Sequence, residues 1–271
     1  MENKKLNTNS NVYTIVYAVV IVVVVALLLA FTSGSLKARQ NANVALDKQK
    51  QILTALNVDY KGKDAAKVYD EIVTDGLILN FEGATLKDDR KEAFNLDIKK
   101  QSALPIEERE LPVFIANVDG ATKYVFPVTG AGLWGGIWGY IAVDDDLNTV
   151  FGTYFNHESE TPGLGAEIKK PDFQHKFIGK HLLDENGQFV SIAITKNGAP
   201  AEGQEHVDAL SGATITSKGV EAMLLNSLGQ YKAFIVRDSA TQAADDAVAA
   251  PKESEAAQEL TEAADAHAVN L

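Results

Sequence analysis

The 271-residue sequence contains no cysteine. That absence removes disulfide frameworks, thiolate nucleophiles, Cys-ligated zinc and Cys-ligated iron–sulfur clusters, so any redox role needs another group. It also suits an exported bacterial domain. Positive charge is scarce: 25 Lys and Arg against 37 Asp and Glu leave a formal net charge of −12. The field of the whole chain therefore repels nucleic-acid phosphates, and no nucleic-acid partner is expected. Histidines number only five. His157 has Glu158 and Glu160 close by, but the spacing matches no metal-ligand motif, and His175, His181, His206 and His267 form no constellation. No Ser/His/Asp triad and no internal repeat is visible, so neither a catalytic residue nor a metal site is expected.

Charge disappears altogether from Val12 to Thr32, which reads VYTIVYAVVIVVVVALLLAFT. At about 1.5 Å per residue this stretch makes a helix of roughly 30 Å, the thickness of a bilayer's hydrocarbon core. A single transmembrane helix is expected, with Tyr13, Tyr17 and Phe31 at the interfaces. A cleaved signal peptide is the competing reading, but its apolar core runs to only about 7–15 residues. Lys4 and Lys5 before the helix are answered by Lys37, Arg39, Lys48 and Lys50 after it, so charge alone leaves the orientation open.

Beyond the anchor, residues 41–57 form an amphipathic helix-like stretch. KDAAKVYDEIVTDG then places Ala65, Val68, Tyr69, Ile72 and Val73 on one helical stripe, ended by Gly76. PVFIANV, ATKYVFPV, IWGYIAV, NTVFGTYF and QFVSIAIT are short and rich in β-branched and aromatic residues. Turns such as Asp119-Gly120 and Asn186-Gly187 separate them, and Asp144, Asp145 and Asp146 suit a solvated hairpin turn. The body is thus an α+β fold, a mostly antiparallel sheet with flanking helices. After Arg237 the chain is Ala-rich and acidic with few large apolar residues, and disorder or a loose exposed helix is expected there.

Three stretches could hold a ligand. GAGLWGG carries Gly130, Gly132 and Gly135 at GxGxxG spacing, yet the strand-like GIWGYIAV follows where a dinucleotide site needs a helix. A glycine-rich hairpin is the plain alternative, and a flat ligand against the backbone, with Trp134 or Trp138 as a wall, is another. HESETPGLGAE has Pro162-Gly163 at the centre of a type II turn, with its acids read as solvated. SGATITS precedes SKGVEAMLLNSLGQY, in which Val220, Met223, Leu224, Leu228 and Tyr231 share one helical face and Ser217 suits an N-cap. That arrangement is either a capped helix after a glycine turn or a phosphate site at a helix N-terminus.

Asp208-Ala-Leu-Ser211-Gly212-Ala213-Thr214 resembles the flavinylation motif of covalent FMN-binding domains, Asp-x-x-Ser/Thr-Gly-Ala-Thr, whose last threonine is esterified by the FMN phosphate. The resemblance implies that Thr214 carries the flavin, that Thr216 does not, and that a magnesium-dependent flavin transferase, with FAD as donor, matures the chain. The membrane helix, the GLWG stretch from Gly132 to Gly135 and HESETPGLGAE are together similar to the C subunits of the Na+-translocating NADH:quinone reductases, over most of residues 12–237. The related G subunits of Rnf complexes share the FMN domain, the turn and the motif but are typically shorter, and the region from Lys61 to Pro127 favours the Na+-pumping complex. The implied layout is a cytoplasmic tail 1–11, a transmembrane helix 12–32, an extracytoplasmic α+β domain 33–237 with its FMN-binding portion at about 128–232, and an acidic tail 238–271. The implied setting is a bacterial inner membrane, with the FMN domain facing the periplasm and the other subunits of the complex as partners.

By the same resemblance the chain relays electrons from an iron–sulfur centre to a second flavin on the B subunit, on the way to ubiquinone or a related quinone. Thr161, Pro162, Gly163, Leu164 and Gly165, with Gly132, Leu133 and Trp134, would then lie near the isoalloxazine. Ser211, Gly212 and Ala213 would surround the phosphate, with Asp208 completing the motif. Two other classes compete: a membrane-anchored binding or adhesion module, and a hydrolase acting through Ser211 or Thr214, for which no base stands nearby in sequence.

Overall fold

The computed structural model describes Thr8, residues 10–196 and residues 203–237. Lys4, Lys5 and the acidic tail after Arg237 lie outside the described residues. The chain divides into two units, Met1–Gln49 and Lys50–Leu271.

The first unit holds the greater part of helix α1 (Asn11–Ala55), which opens with the Tyr13 amide donating to Ser10 Oγ at 3.2 Å. Part of α1 is long and apolar enough to cross a membrane, and its Val, Ile and Leu side chains are exposed all round. An apolar face on every side suits lipid and not water. Separate helices at 12–32 and 41–57 were expected, yet α1 runs through both without a break. The intervening SGSLKARQNA holds no proline and only one glycine, so nothing in it stops a helix.

In the second unit the end of α1 is an anchor point. Asn57 adopts a left-handed φ of +54°, the usual helix-closing conformation, and Val58 donates back to the Leu53 carbonyl at 3.0 Å. Asn57 Nδ2 donates to the Phe151 carbonyl at 2.7 Å, while Ile52, Leu53 and Leu56 are fully buried. Helix α2 (Ala65–Ile72) is capped by Asp64, whose side chain accepts the Ala66 amide. It stops at Val73 and not at Gly76, because β1 (Val73–Leu79) begins there and pairs with two other strands. The edge strand β2 (Thr85–Asp88) leads to two short helices, α3 (Arg90–Asn95) and α4 (Ile98–Ser102). Asp89 and Asp97 cap these helices, each accepting two backbone amides.

The strands β3 (Leu111–Val118), β4 (Ala121–Ala131), β5 (Gly136–Val143) and β6 (Val150–His157) complete a six-stranded antiparallel sheet in the order β2-β1-β3-β4-β5-β6. Asp119 and Gly120, both at positive φ, turn β3 into β4 as expected. After α5 (Pro171–Gln174) the QFVSIAIT segment forms an isolated antiparallel bridge at Phe189 with Leu183 and a strand only in β7 (Ala193–Thr195), which pairs in parallel with β8 (His206–Asp208). Ser191, at φ +62°, breaks the run that the sequence suggested. Helix α6 (Thr214–Leu228) lays Val220, Met223, Leu224 and Leu228 into the core against Phe126, Val128, Ile137 and Ile141. Residues of opposite pleat, Phe114 and Tyr140, meet Phe94 and Tyr69 on the other face, ring centroids 5.6–6.5 Å apart. Ser227 Oγ accepts the Thr129 amide at 3.1 Å and donates to the Thr129 carbonyl at 3.0 Å, locking α6 along β4.

Candidate functional site

With α6 fixed along β4, its first turn lies beside the β4–β5 turn. Gly132 donates to the Gly135 carbonyl at 2.8 Å there, so the GxGxxG spacing is a hairpin and not a dinucleotide loop. Three consecutive residues after β6 fasten this hairpin. Glu158 Oε2 accepts the Gly136 amide at 3.3 Å, Ser159 Oγ donates to the Trp134 carbonyl at 2.8 Å, and Glu160 Oε1 accepts the Trp134 amide at 2.8 Å. The chain then turns at Pro162-Gly163, with Gly163 at φ +76° and Leu164 donating to the Thr161 carbonyl at 3.1 Å, the type II turn expected.

Glu160 joins these pieces to α6. Its second oxygen accepts the Thr216 hydroxyl at 2.6 Å, and a Cβ at either Gly132 or Gly165 would collide with the carboxylate. The sequence suggested a solvated acid, yet Glu160 is only 4% exposed. Burial pushes its pKa up, but the Thr216 hydroxyl, the Trp134 and Leu133 amides and neighbouring His157 outweigh that and hold it below the usual carboxylate value. His157 Nδ1 accepts the Glu160 amide at 3.1 Å, which assigns the proton to Nε2. Burial and then Lys169 lower the His157 pKa, consistent with a neutral ring.

The start of α6 differs from the expected one. The helix begins at Thr214 with Ala213 as N-cap, and Ser217 lies inside it, fully buried, its Oγ accepting the Leu210 amide at 3.0 Å. Because Ala213 has no acceptor side chain, the amides of the first turn lack a side-chain cap. Thr214 is exposed and makes no side-chain hydrogen bond among the described residues, whereas Thr216 is 1% exposed and committed to Glu160.

A cleft of about 450 Å³ lies at this junction, lined by Leu133, Trp134, Glu160, Thr161, Leu164, Gly165 and residues 212–216. It therefore gathers Leu133, Trp134, Thr161, Leu164, Gly165, Gly212, Ala213 and Thr214 from the residues singled out in the sequence. Ser211 and Gly163 stand in its flanking turns without lining it. Asp208, at the end of β8, lines a separate recess with Lys176, His206 and Val207. Glu160, expected as a solvated acid, Thr216, expected only as the threonine that carries nothing, and Ile215, which no motif singles out, also line it. A larger cleft, about 600 Å³, lies beside the Asp184–Gly187 turn, but Asp184, Glu185 and Glu205 line it and would repel an anion.

Residues 132–229, which contain the whole cleft, match the family model of the FMN-binding domain. The C subunit of the Na(+)-translocating NADH-quinone reductase of Vibrio vulnificus strain YJ016 is 33% identical over 200 residues, covering 69% of this chain and 78% of that protein. Its counterpart from Haemophilus ducreyi is 31% identical over 231 residues, covering 80% and 89%. This chain belongs to the family of Na(+)-translocating NADH-quinone reductase C subunits. The crystal structure of a family member from Parabacteroides distasonis superposes with a TM-score of 0.68 at 45% identity, over 74% of this chain and 96% of that one. NqrC from Shewanella oneidensis gives 0.63 at 28%, over 73% and 99%. As a member of this family, the chain has the other subunits of the reductase as its partners, and its FMN-binding domain is the cleft-bearing part of the second unit.

Proposed function

We propose that this C subunit carries FMN on Thr214 through a phosphoester and serves as an electron relay within the reductase, between an iron–sulfur centre and a second flavin. The observation that carries the reading is the contrast between two neighbouring alcohols. Thr214 offers a free, exposed hydroxyl at the cleft, and Thr216 is buried and bonded to Glu160.

The residues present fit such a group. The cleft, about 450 Å³, falls within the roughly 300–1,000 Å³ of small-molecule sites. Leu133, Trp134, Leu164 and Ile215 offer exposed apolar surface to a flat ring, and the uncapped amides of α6 favour a phosphate beside Thr214. Bound there, a flavin would supply one- and two-electron transfer. The protein's share is to hold the ring through the hairpin and the Thr161–Gly165 turn, and to tune it by contact and charge. The further parts of the reading are an inner-membrane location, a periplasmic domain and a flavin transferase for maturation. A covalent ester suits that placement, because an exported domain cannot replenish a dissociated cofactor from the cytoplasm.

The test is co-expression with a flavin transferase, followed by a denaturing gel viewed under ultraviolet light. Flavin fluorescence should stay with the wild-type chain, vanish in Thr214→Ala and persist in Thr216→Val. Fluorescence retained by Thr214→Ala overturns the assignment. The mass of the tryptic peptide from 197 to 218 locates the adduct directly.

A further inference from the structure

Glu160 combines burial with the lack of an ion-pair partner among the described residues. It is 4% exposed, and among the described residues no Lys, Arg or His makes an ion pair with it. Its oxygens are satisfied by neutral donors, the Trp134 amide and the Thr216 hydroxyl. A glutamine of the same length could accept from Trp134 and give an N–H to Thr216, without the cost of burying a full charge. Fastening the hairpin to α6 therefore does not by itself require an acid. What the acid adds is a fixed negative charge in the wall of the cleft, where low polarisability leaves it poorly screened.

We propose that Glu160 is a positioning residue that acts electrostatically: its buried charge, held by Trp134 and Thr216, lowers the reduction potential of a flavin seated in this cleft. The inference rests on the reading of the cleft as the flavin site. Reduction adds electrons to the ring, and a nearby fixed anion opposes the added negative charge. Full reduction takes up two electrons, with whatever protons follow, whichever residue stands at 160. Only the free energy of adding the charge differs. Thr216 takes part by holding the carboxylate in place, which explains why its own hydroxyl is withdrawn from the cleft.

The experiment is a redox titration of the full chain, co-expressed with a flavin transferase and purified in detergent, with dithionite as reductant and the flavin absorbance as readout. In Glu160→Gln the midpoint potential should rise above that of the wild type. In Thr216→Val, which keeps the anion and loses only a hydrogen bond, it should not rise. A Glu160→Gln chain with normal flavin content and a potential equal to or below the wild-type value overturns the proposal. If Glu160→Gln does not fold, the paired replacement Glu160→Met with Thr216→Val removes the charge and its buried donor together, and the same rise is expected. A wild-type chain whose intact mass shows no flavin overturns the cleft assignment, and the proposal with it.

Discussion

At the scale of single residues, the bond between Thr216 and Glu160 makes two predictions. Thr216→Val removes a buried donor and leaves one carboxylate oxygen unsatisfied, so urea unfolding at neutral pH should show a loss of about 1–3 kcal/mol. The second concerns acid. The folded pKa of Glu160 lies below the unfolded value of about 4.3, so its contribution is complete above that value and is lost as pH falls through the folded one. Below pH about 4.3 the urea midpoint of the wild type should therefore fall more steeply than that of Glu160→Gln. The motif pointed to Thr214, which does line the cleft, whereas nothing in the sequence marked Glu160 as a buried wall of it. In the stretch His157-Glu158-Ser159-Glu160 two acids look alike, and only the folded hairpin determines that one faces solvent while the other is enclosed between Gly132 and Gly165. Ser217 misled for a related reason: its residue type suits a cap, but its hydroxyl serves the Leu210 amide from within the helix.

At the scale of elements, α6 is held by its apolar stripe and by one polar fastening. Ser227→Ala leaves the half-buried Thr129 amide and carbonyl without their partner, and with two hydrogen bonds lost thermal melts should show a loss of about 1–3 kcal/mol. The apolar stripe of α6 was visible in the sequence at helical spacing, and four strands of the main sheet were visible as β-branched, aromatic runs between turns. Strand β1 was hidden. Val73-Thr74-Asp75-Gly76 continues a helical stripe and contains two poor strand formers, and it is extended because β3 pairs along it, while β2 pairs with Leu77–Leu79 further on. QFVSIAIT failed in the opposite sense: its composition suits a strand, but a left-handed residue at Ser191 divides it into a single bridge at Phe189 and a short parallel pair.

At the scale of the whole molecule, the apolar part of α1 and the buried part of α1 have different duties. A chain beginning at Leu36 lacks the membrane-crossing stretch and keeps Ile52, Leu53 and Leu56. It should remain folded by circular dichroism and no longer float with vesicles. A chain beginning at Asp59 also loses those three fully buried side chains, at about 2 kcal/mol each, and its melting temperature should fall sharply. The sequence showed the span but not the length of α1, since no proline marks a boundary and the burial of residues 52–56 depends on contacts such as Asn57 with Phe151.

Two positions along an α-helix are a rotation of roughly 200°. Thr214 and Thr216 accordingly look out of nearly opposite sides of the same coil, one toward bulk water and one toward a carboxylate. A reagent arriving from outside meets only one of these two threonine alcohols, so the choice between them is written in helical phase, and a one-residue insertion within α6, between Thr216 and the packed Val220, would rewrite it.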